Sequence, residues 1–281
     1  MQNDRLLFLT SFLSRQLIAF SKQMGREGFR VAIAAPTGEN LQYLPNNQFI
    51  RLRRIGGLMF GAKKLKNFNG KIIAFDKRAE QFARRARLNA IIFEDNVGID
   101  LSVWNPKAIS GNRQTMILSQ YNIAPHQKML LVIEPTEKDI KSLVLAIQGL
   151  ERDDYIIALY GKTTRRTARR LSRRIKNIPQ IIYLGNEQDL PSLMRSSFAI
   201  IFISDRKSFY KLAAIAMGRA TAFGGGDIKP NITIKNNLPE VLRKILAMPA
   251  AVREKFEGEN LRRAENYALE KNVKALKNMI R

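Results

Sequence analysis

Apolar runs along this chain are short and continuous, and each is followed by a segment with helical spacing. The runs Ile181–Leu184 and Ala199–Ile203 show no alternation of polar and apolar residues, which is typical of strands that are buried on both faces. After the second run, a helical segment ends at Met217–Gly218 and leads into a further strand with a glycine-rich exit. This order predicts parallel sheets with helices on both faces, and therefore an α/β fold.

The N-terminal part of the chain repeats this pattern twice, and the C-terminal part is helical. The predicted strands and helices of the two N-terminal βαβ units cover residues 5–10, 14–25, 29–35, 71–75, 79–88 and 90–93. Farther along, residues 113–121, 128–133, 140–150 and 155–160 alternate helix and strand, and residues 251–281 are predicted to be helical throughout. Ligands of such sheets bind beyond the carboxyl ends of the strands, so we expect a site there.

The net charge of +24 is large for a chain of 281 residues. Such a surface can serve solubility alone, or it can attract a polyanion such as nucleic acid or an anionic membrane leaflet. The sequence contains no cysteine, which excludes disulfides and thiol catalysis and fits a reducing cytosol. No run reaches the length of a membrane-spanning helix, and we expect a cytoplasmic protein without a signal peptide.

Two segments concentrate the positive charge. The first, residues 50–66, mixes cations with Leu58, Met59 and Phe60, and is interpreted either as a buried strand with a solvated edge or as a membrane-interface patch. The second segment predicts a helix with one basic face, which is either solvated or bound to an anionic partner such as a membrane. This face consists of Arg165, Arg166, Arg169, Arg170, Arg173 and Arg174. Because no aromatic residue interrupts it, single-stranded nucleic acid is the less favoured partner.

Several motifs together resemble one enzyme family. Leu184-Gly185, Asp189-Leu190-Pro191 and the AIAMGR sequence of residues 214–219 are similar to the C-terminal, donor-binding half of the retaining GT-B glycosyltransferases of the lipopolysaccharide and capsule type. Residues 98–106 (GIDLSVWNP) resemble the interdomain segment of that family. The resemblance implies two Rossmann-like domains, with a shortened N-terminal domain. It implies a domain at 1–106, a donor-nucleotide domain at 107–260, and a final helix at 261–281 that packs on the first domain.

The same resemblance implies which residues bind the donor. They are Lys138, Gly161, Gly185, Asp205, Lys207, Gly218, Gly224 and Gly225. Lys138 either matches a lysine that reaches the donor diphosphate in the family or is an exposed residue in the first turn of a helix. Either Asp205 or Lys207 matches the first of two glutamates. No residue is assigned a catalytic role, and neither a metal ion nor another cofactor is expected. His126 matches no catalytic position and is predicted to lie exposed in a loop.

The chain also departs from the family pattern at positions that contact substrate. Ile133-Glu134 replaces a Gly-Arg pair beside the diphosphate, Ala213 replaces the second glutamate, and no glycine loop follows the first strand. The first hypothesis is a glycosyltransferase that uses a nucleotide-sugar donor and a cell-envelope glycan or lipid-linked acceptor. The second is an inactive homologue that acts as a binding or scaffold protein at the inner membrane. A basic nucleic-acid-binding protein is the third and least favoured hypothesis.

Overall fold

The structure is a computed structural model, and it falls into two units with one parallel sheet each. The first unit comprises Met1–Asp100 and Tyr267–Arg281, and the second comprises Leu101–Asn266. The residues that the structure describes are 4–11, 13–36, 49–55, 58–93, 98–150, 152, 154–161, 173, 175–185, 189–204, 208–225, 228–234 and 237–280. The three domain ranges predicted from the sequence stay predictions.

The first unit contains a five-stranded parallel sheet in the order β3-β2-β1-β6-β7, and a separate antiparallel hairpin, β4–β5. Its strands are β1 (Arg5–Leu9), β2 (Arg30–Ala35), β3 (Phe49–Arg51), β4 (Arg53–Ile55), β5 (Leu58–Phe60), β6 (Lys71–Ala74) and β7 (Ala90–Ile92). Its helices are α1 (Arg15–Arg26), α2 (Lys77–Arg85) and α9 (Leu269–Ile280), with a 3₁₀ turn at Ala62–Lys64.

Apolar residues of α9 complete the core of the first unit. Leu269, Val273, Leu276 and Ile280 are buried against Phe8 and the residues around it. Their spacing of three or four residues places them on one face of the helix. The C-terminal helix therefore belongs to the same core as the first strand.

The second unit contains a six-stranded parallel sheet in the order β10-β9-β8-β11-β12-β13. Its strands are β8 (Lys128–Ile133), β9 (Tyr155–Tyr160), β10 (Ile181–Gly185), β11 (Ala199–Phe202), β12 (Ala220–Phe223) and β13 (Ile232–Thr233). Its helices are α3 (Gly111–Gln120), α4 (Glu137–Gln148), α5 (Leu190–Ser196), α6 (Ser208–Ala216), α7 (Leu238–Leu246) and α8 (Ala250–Ala264), with a 3₁₀ turn at Pro106–Ala108.

Both sheets are doubly wound. From β8 the chain builds β9 and β10 on one side and then returns to build β11, β12 and β13 on the other. The first sheet reverses in the same way between β1 and β6. These are Rossmann-like strand orders with a topological switch point in the middle. The predicted α/β class with two parallel sheets is confirmed.

The sequence interpretation was wrong for two segments. Residues 251–281 are not helical throughout, because a 3₁₀ turn at Glu265–Tyr267 and an extended Ala268 separate α8 from α9. Ala268 forms a parallel bridge with Ile99, and Leu269 N–H donates to Ile99 C=O at 2.9 Å. Of the two interpretations of residues 50–66, the single buried strand is wrong, because the described residues there form the end of β3, the β4–β5 hairpin and a 3₁₀ turn. The membrane-interface patch stays a prediction.

Candidate functional site

The switch point of the second sheet lies between β8 and β11, which are neighbours in the sheet although the chain visits β9 and β10 between them. At such a point the connections that follow the two strands diverge, which opens a crevice beyond their carboxyl ends. In this protein the residues that follow are Glu134–Thr136 after β8 and Ile203–Ser204 after β11. We therefore take this edge of the sheet as the candidate site.

Asp139 joins the two sides of the switch point. Its carboxylate is buried in the first turn of α4, where it accepts a hydrogen bond from Thr136 N–H at 2.7 Å. Thr136 Oγ1 in turn accepts from Asp139 N–H at 3.1 Å, which completes a capping box. The hydroxyl of Ser204 donates to both carboxylate oxygens of Asp139 at 2.8 Å. The start of α4 and the end of β11 are thus held together.

Two of the predicted glycines lie side by side at this edge. Gly161 N–H donates to Gly185 C=O at 2.8 Å, and the hydroxyl of Tyr183 donates to Gly161 C=O at 3.0 Å. A Cβ atom at Gly161 would lie only 3.2 Å from Glu134 Cα. Close backbone packing between neighbouring strand ends therefore favours glycine at position 161.

The turn after β12 brings the other two predicted glycines beside a buried lysine. A Cβ atom at Gly224 would lie 2.0 Å from Ile203 C=O, so no other residue fits there without movement of the backbone. Lys211 of α6 is 1% exposed, and its ammonium group donates to Gly225 C=O at 2.6 Å. The same ammonium lies 5.4 Å from the ring centroid of Phe223. A buried cation is held where β12 ends.

Glu134 and Lys138 carry opposite charges on the two sides of the β8–α4 connection. Glu134 follows β8 directly and has a φ of 46°, which is unusual for a residue with a side chain. Lys138 is an exposed residue in the first turn of α4, and its C=O accepts a hydrogen bond from the hydroxyl of Ser142 at 3.1 Å. Glu137 and Asp139 flank it, so carboxylates outnumber cations among these residues.

Four aromatic rings cluster at the start of α6. The Tyr160 and Tyr210 centroids are 6.2 Å apart, and Phe209 lies 5.4 Å from Tyr210 and 5.5 Å from Trp104. The sequence analysis did not assign Tyr210, Lys211 or Asp139 to this edge. The Thr-x-x-Asp capping signal could have identified Asp139. The position of Lys211 in the otherwise apolar run KLAAIAM could have identified the lysine.

The remaining predicted residues lie elsewhere or outside the described part. Gly218 lies at the opposite, amino edge of the sheet, where a Cβ atom would be 3.1 Å from the Glu257 side chain. Arg173 is exposed, as is His126. Seven predicted residues lie outside the described ranges: Asp205, Lys207, Arg165, Arg166, Arg169, Arg170 and Arg174.

The switch point of the first sheet is occupied by a carboxylate as well. Asp76 Oδ2 accepts from Thr10 Oγ1 at 2.9 Å and from Ser11 N–H at 2.7 Å, which joins the end of β1 to the start of α2. Its other oxygen caps α2 by accepting from Arg78 N–H and Ala79 N–H. The carboxylate of Asp76 therefore lies directly beyond the end of β1.

Within the described ranges, no cluster of histidine, cysteine and carboxylate residues is arranged to hold a metal ion. The candidate site therefore presents the start of α4, the exposed Lys138 and several carboxylates. A helix start is suited to a phosphate group. The carboxylates are suited to the hydroxyl groups of a sugar, because they accept hydrogen bonds.

The two doubly wound sheets are those of the GT-B glycosyltransferase fold, as the similarity to solved structures shows. A glycosyltransferase from Rickettsia africae ESF-5 is similar over 98% of this chain and 97% of its own, with a TM-score of 0.78 and 13% identity. WaaG, a glycosyltransferase involved in lipopolysaccharide biosynthesis, is similar over 98% of this chain and 99% of its own, with a TM-score of 0.68 and 13% identity. Anabaena HepE in complex with UDP and glucose is similar over 98% of this chain and 99% of its own, with a TM-score of 0.69 and 11% identity. No protein-family model matches the sequence, and no curated protein matches it.

Proposed function

We propose that this protein is a glycosyltransferase that moves a sugar from a nucleotide-sugar donor to a cell-envelope glycan or a lipid-linked acceptor. The observation that carries the proposal is the doubly wound second sheet, whose carboxyl edge is lined with glycines, in a chain that matches glycosyltransferase structures along almost its whole length. The HepE structure was determined with UDP and glucose, which supports a nucleotide-sugar donor for this chain.

The donor would bind beyond the carboxyl edge of the second sheet. Gly161, Gly185 and Gly224 stay proposed donor contacts at this edge, and Lys138 supplies an exposed positive charge at the start of α4. Negative charge develops on the leaving diphosphate during sugar transfer, so cations and helix starts lower the barrier. Asp205 and Lys207 stay proposed donor contacts. The proposal includes transfer with retention of configuration and requires neither a metal ion nor another cofactor.

The acceptor is proposed to be part of the cell envelope because WaaG acts in lipopolysaccharide biosynthesis. The proposed location is the cytoplasm, with peripheral attachment to the inner membrane. None of the helices that the structure describes combines the length and the hydropathy that a membrane span requires. Attachment would therefore rest on surface contacts, which the basic helix α2 and the predicted arginine helix can supply.

One observation favours the second hypothesis, that turnover has been lost. Ala213 occupies the position where the family resemblance implies a glutamate, and it is completely buried among apolar residues of α6. No carboxylate can act from that position. Glu134, beside the proposed diphosphate position, adds repulsion in place of attraction.

Titration calorimetry with UDP-, GDP- and ADP-sugars tests the proposal, combined with a hydrolysis assay on each donor. We expect one nucleotide class to bind at millimolar or lower concentration and to be hydrolysed slowly. In the Lys138→Gln variant, binding should weaken about tenfold because a charge-assisted contact to phosphate is lost. Lys141→Gln is the matched control, since Lys141 is an exposed lysine of the same helix.

The outcomes separate the hypotheses. Binding without hydrolysis of any donor favours the inactive homologue. An absence of binding to every nucleotide-sugar, together with attachment to anionic vesicles, favours the scaffold role. Steeply salt-dependent binding to DNA or RNA, without attachment to vesicles, favours the nucleic-acid hypothesis.

A further inference from the structure

Two arginines pair with one glutamate at the amino edge of the second sheet, opposite the candidate donor site, and a third arginine lies one helical turn from that glutamate. Arg195 lies in the last turn of α5, Arg219 precedes β12, and Arg253 and Glu257 lie one turn apart on α8. The side chains of Arg195, Arg219 and Glu257 are 23%, 12% and 20% exposed. The cluster is thus half-buried and carries more positive than negative charge.

Part of this cluster is explained by the fold. Arg195 forms an ion pair with Glu257, and Arg219 Nε donates to Arg195 C=O at 2.9 Å at the end of α5. Arg195 also reaches Met217 C=O, near the end of α6, at 3.5 Å. These contacts place cations at the carboxyl ends of two helices, where they are stabilising.

Two donors of the cluster are not explained in this way. Among the described residues, Arg195 Nε and Arg253 Nε are buried and have no hydrogen-bond partner. Buried polar groups in folded proteins normally have a partner, and an exception calls for a water molecule or an ion. Both exceptions belong to the same group of arginines.

The charge balance of the cluster also indicates an anionic partner. Burial, followed by the charges of Arg195 and Arg253, lowers the pKa of Arg219 to about 10, and Glu257 only partly opposes this. Among the described residues no carboxylate pairs with Arg253, and its guanidinium lies 5.2 Å from the Phe198 centroid. Lys128 Nζ lies 5.3 Å from the same ring.

We propose that Arg195, Arg219 and Arg253 bind a tetrahedral oxyanion of the phosphate class at the amino edge of the second sheet. Guanidinium groups donate paired hydrogen bonds to phosphate oxygens, and a dianion would balance the excess charge of three arginines over one glutamate. The anion is either free phosphate or the phosphoryl group of a phosphomonoester. This site does not depend on the proposed transferase activity, since it lies at the other end of the strands.

Phosphate titration tests the site. The wild-type protein is titrated with inorganic phosphate, and separately with glycerol phosphate, against sodium chloride of the same ionic strength near pH 7.5. Binding is followed by calorimetry and by the shift in Tm. We expect saturable binding of at least one of the two anions, with a rise in Tm that chloride does not give. The better ligand identifies the source of the phosphoryl group.

Arg253→Gln should weaken phosphate binding at least about tenfold, because it removes a charge and the Nε donor. Arg262→Gln is the matched control, since Arg262 is an exposed arginine on the same helix and is not a member of the cluster. Lys138→Gln should leave phosphate binding unchanged if the anion lies at the amino edge.

The Tm in chloride shows whether Arg253→Gln folds normally. If that variant is unstable, Arg253→Lys keeps the charge, removes the Nε donor and should still weaken binding severalfold. The proposal is overturned if neither anion binds saturably. It is also overturned if the cluster variant binds like the wild type, or if Lys138→Gln abolishes binding.

Discussion

At the scale of single residues, one carboxylate holds each switch point together: the half-buried Asp76 in the first sheet and the buried Asp139 in the second. Both accept hydrogen bonds from a strand end and from a helix start. Because they are satisfied inside the protein, their first role is to fix the loops that would surround a ligand. The second of them can be tested through its partner, Ser204.

Ser204→Ala should lower the free energy of unfolding by about 1–3 kcal/mol, because a hydrogen bond to a largely buried charged group is lost. Urea unfolding measures the change. Ser142→Ala is the control: its hydroxyl donates to Lys138 C=O on the surface of α4. We expect a change within about 0.5 kcal/mol there. An equal loss in both variants would contradict a special role for the Asp139–Ser204 contact.

Asp189 gives a pH-dependent contribution to stability. Burial alone would raise the pKa of Asp189, but hydrogen bonds from Arg113 and Ser192 and the charge of Arg113 outweigh it and lower the pKa. Arg113 Nε donates to the carboxylate at 2.9 Å, which joins α3 to α5. A lowered carboxyl pKa stabilises the fold above the ordinary value of about 4, and this stabilisation is lost as the pH falls through the lowered pKa.

Asp189→Asn should therefore reduce stability by about 0.5–1 kcal/mol at pH 7 and by less at pH 3. Asparagine is also a good N-cap, so the hydrogen bond from Ser192 N–H can be kept. Unfolding in urea at a series of pH values measures the difference. Asp189→Ala removes the cap as well and should cost about 1 kcal/mol more at both pH values. If the loss of stability in Asp189→Asn were the same at pH 7 and pH 3, the lowered pKa of Asp189 would not contribute to stability.

Glu134 tests the charge of the proposed donor site. If the diphosphate lies beside the β8–α4 connection, Glu134→Gln removes a repulsive charge and should strengthen binding of UDP or its sugars a few fold at low salt. Calorimetry at two salt concentrations measures the effect, which should shrink as salt rises. Glu254→Gln on the exposed surface of α8 serves as the control. Weaker binding in Glu134→Gln would show that Glu134 contacts the ligand as an acceptor.

At the scale of elements, local rules determine where helices end. α2 ends with the C=O of Ala83 accepting from Leu88 N–H at 2.9 Å and the C=O of Arg84 accepting from Arg87 N–H at 3.1 Å. This is a Schellman motif, in which the residue after the helix takes a left-handed conformation. Here that residue is Arg87, with a φ of 53°. The same motif after α3 places Asn122, a more tolerant residue, at a φ of 54°.

Arg87→Gly should stabilise the first unit by a few tenths to about 1 kcal/mol. The left-handed conformation costs a residue with a side chain about 1–2 kcal/mol, and glycine loses about 0.5–1 kcal/mol through its flexible unfolded state. Thermal unfolding measures the change. Asn122→Gly should gain less, and Arg87→Ala should gain nothing because it keeps the Cβ atom. Destabilisation by Arg87→Gly would mean that the arginine side chain contributes more than the backbone strain.

The order of strands and helices was predictable because continuous apolar runs and helical spacing are local signals. β8, predicted at 128–133, begins and ends as predicted, and β9 does the same. The break before α9 was not predictable from local pattern, because it depends on the pairing of Ala268 with Ile99, residues far apart in the sequence. Local sequence patterns therefore predict the strands and helices, whereas contacts between distant residues determine where the C-terminal helical segment breaks into α8 and α9.

The candidate site was predictable only in part, for the same reason. Glycines at strand ends follow from the pattern of a parallel sheet, and Gly161, Gly185 and Gly224 lie at the expected edge. The link between Asp139 and Ser204 joins elements 65 residues apart. The position of Lys211 beneath Gly225 depends on how α6 packs on β12. Neither contact has a signature in a single stretch of sequence.

At the scale of the whole molecule, the excess of positive charge is unevenly distributed. Helix α2 and the residue pair that follows it carry five exposed cations: Lys77, Arg78, Arg84, Arg85 and Arg87. Among the described residues, Arg84 with Glu80 is the single ion pair on this helix. The opposite face of α2 buries Ala79, Phe82 and Ala83, so the cations lie on one side. A one-sided basic helix that packs flat on its sheet is suited to a flat anionic surface.

The double variant Lys77→Glu/Arg78→Glu tests whether this face attaches the protein to a membrane. Each cation near an anionic bilayer contributes about 1 kcal/mol, so reversal of two should weaken binding to vesicles rich in anionic phospholipid at least about tenfold. The fold should tolerate both changes, because carboxylates are favourable in the first turn of a helix. Co-sedimentation with vesicles at increasing salt measures the affinity.

Lys255→Glu/Lys274→Glu is the matched control, because it changes the net charge equally at exposed positions of α8 and α9. If α2 is the binding face, the control variant should lose much less affinity than the α2 variant. Equal losses would show that net charge alone drives attachment, without a defined face. If the wild-type protein ignores anionic vesicles but binds RNA or DNA with a steep salt dependence, the basic face serves nucleic acid and the membrane proposal is wrong.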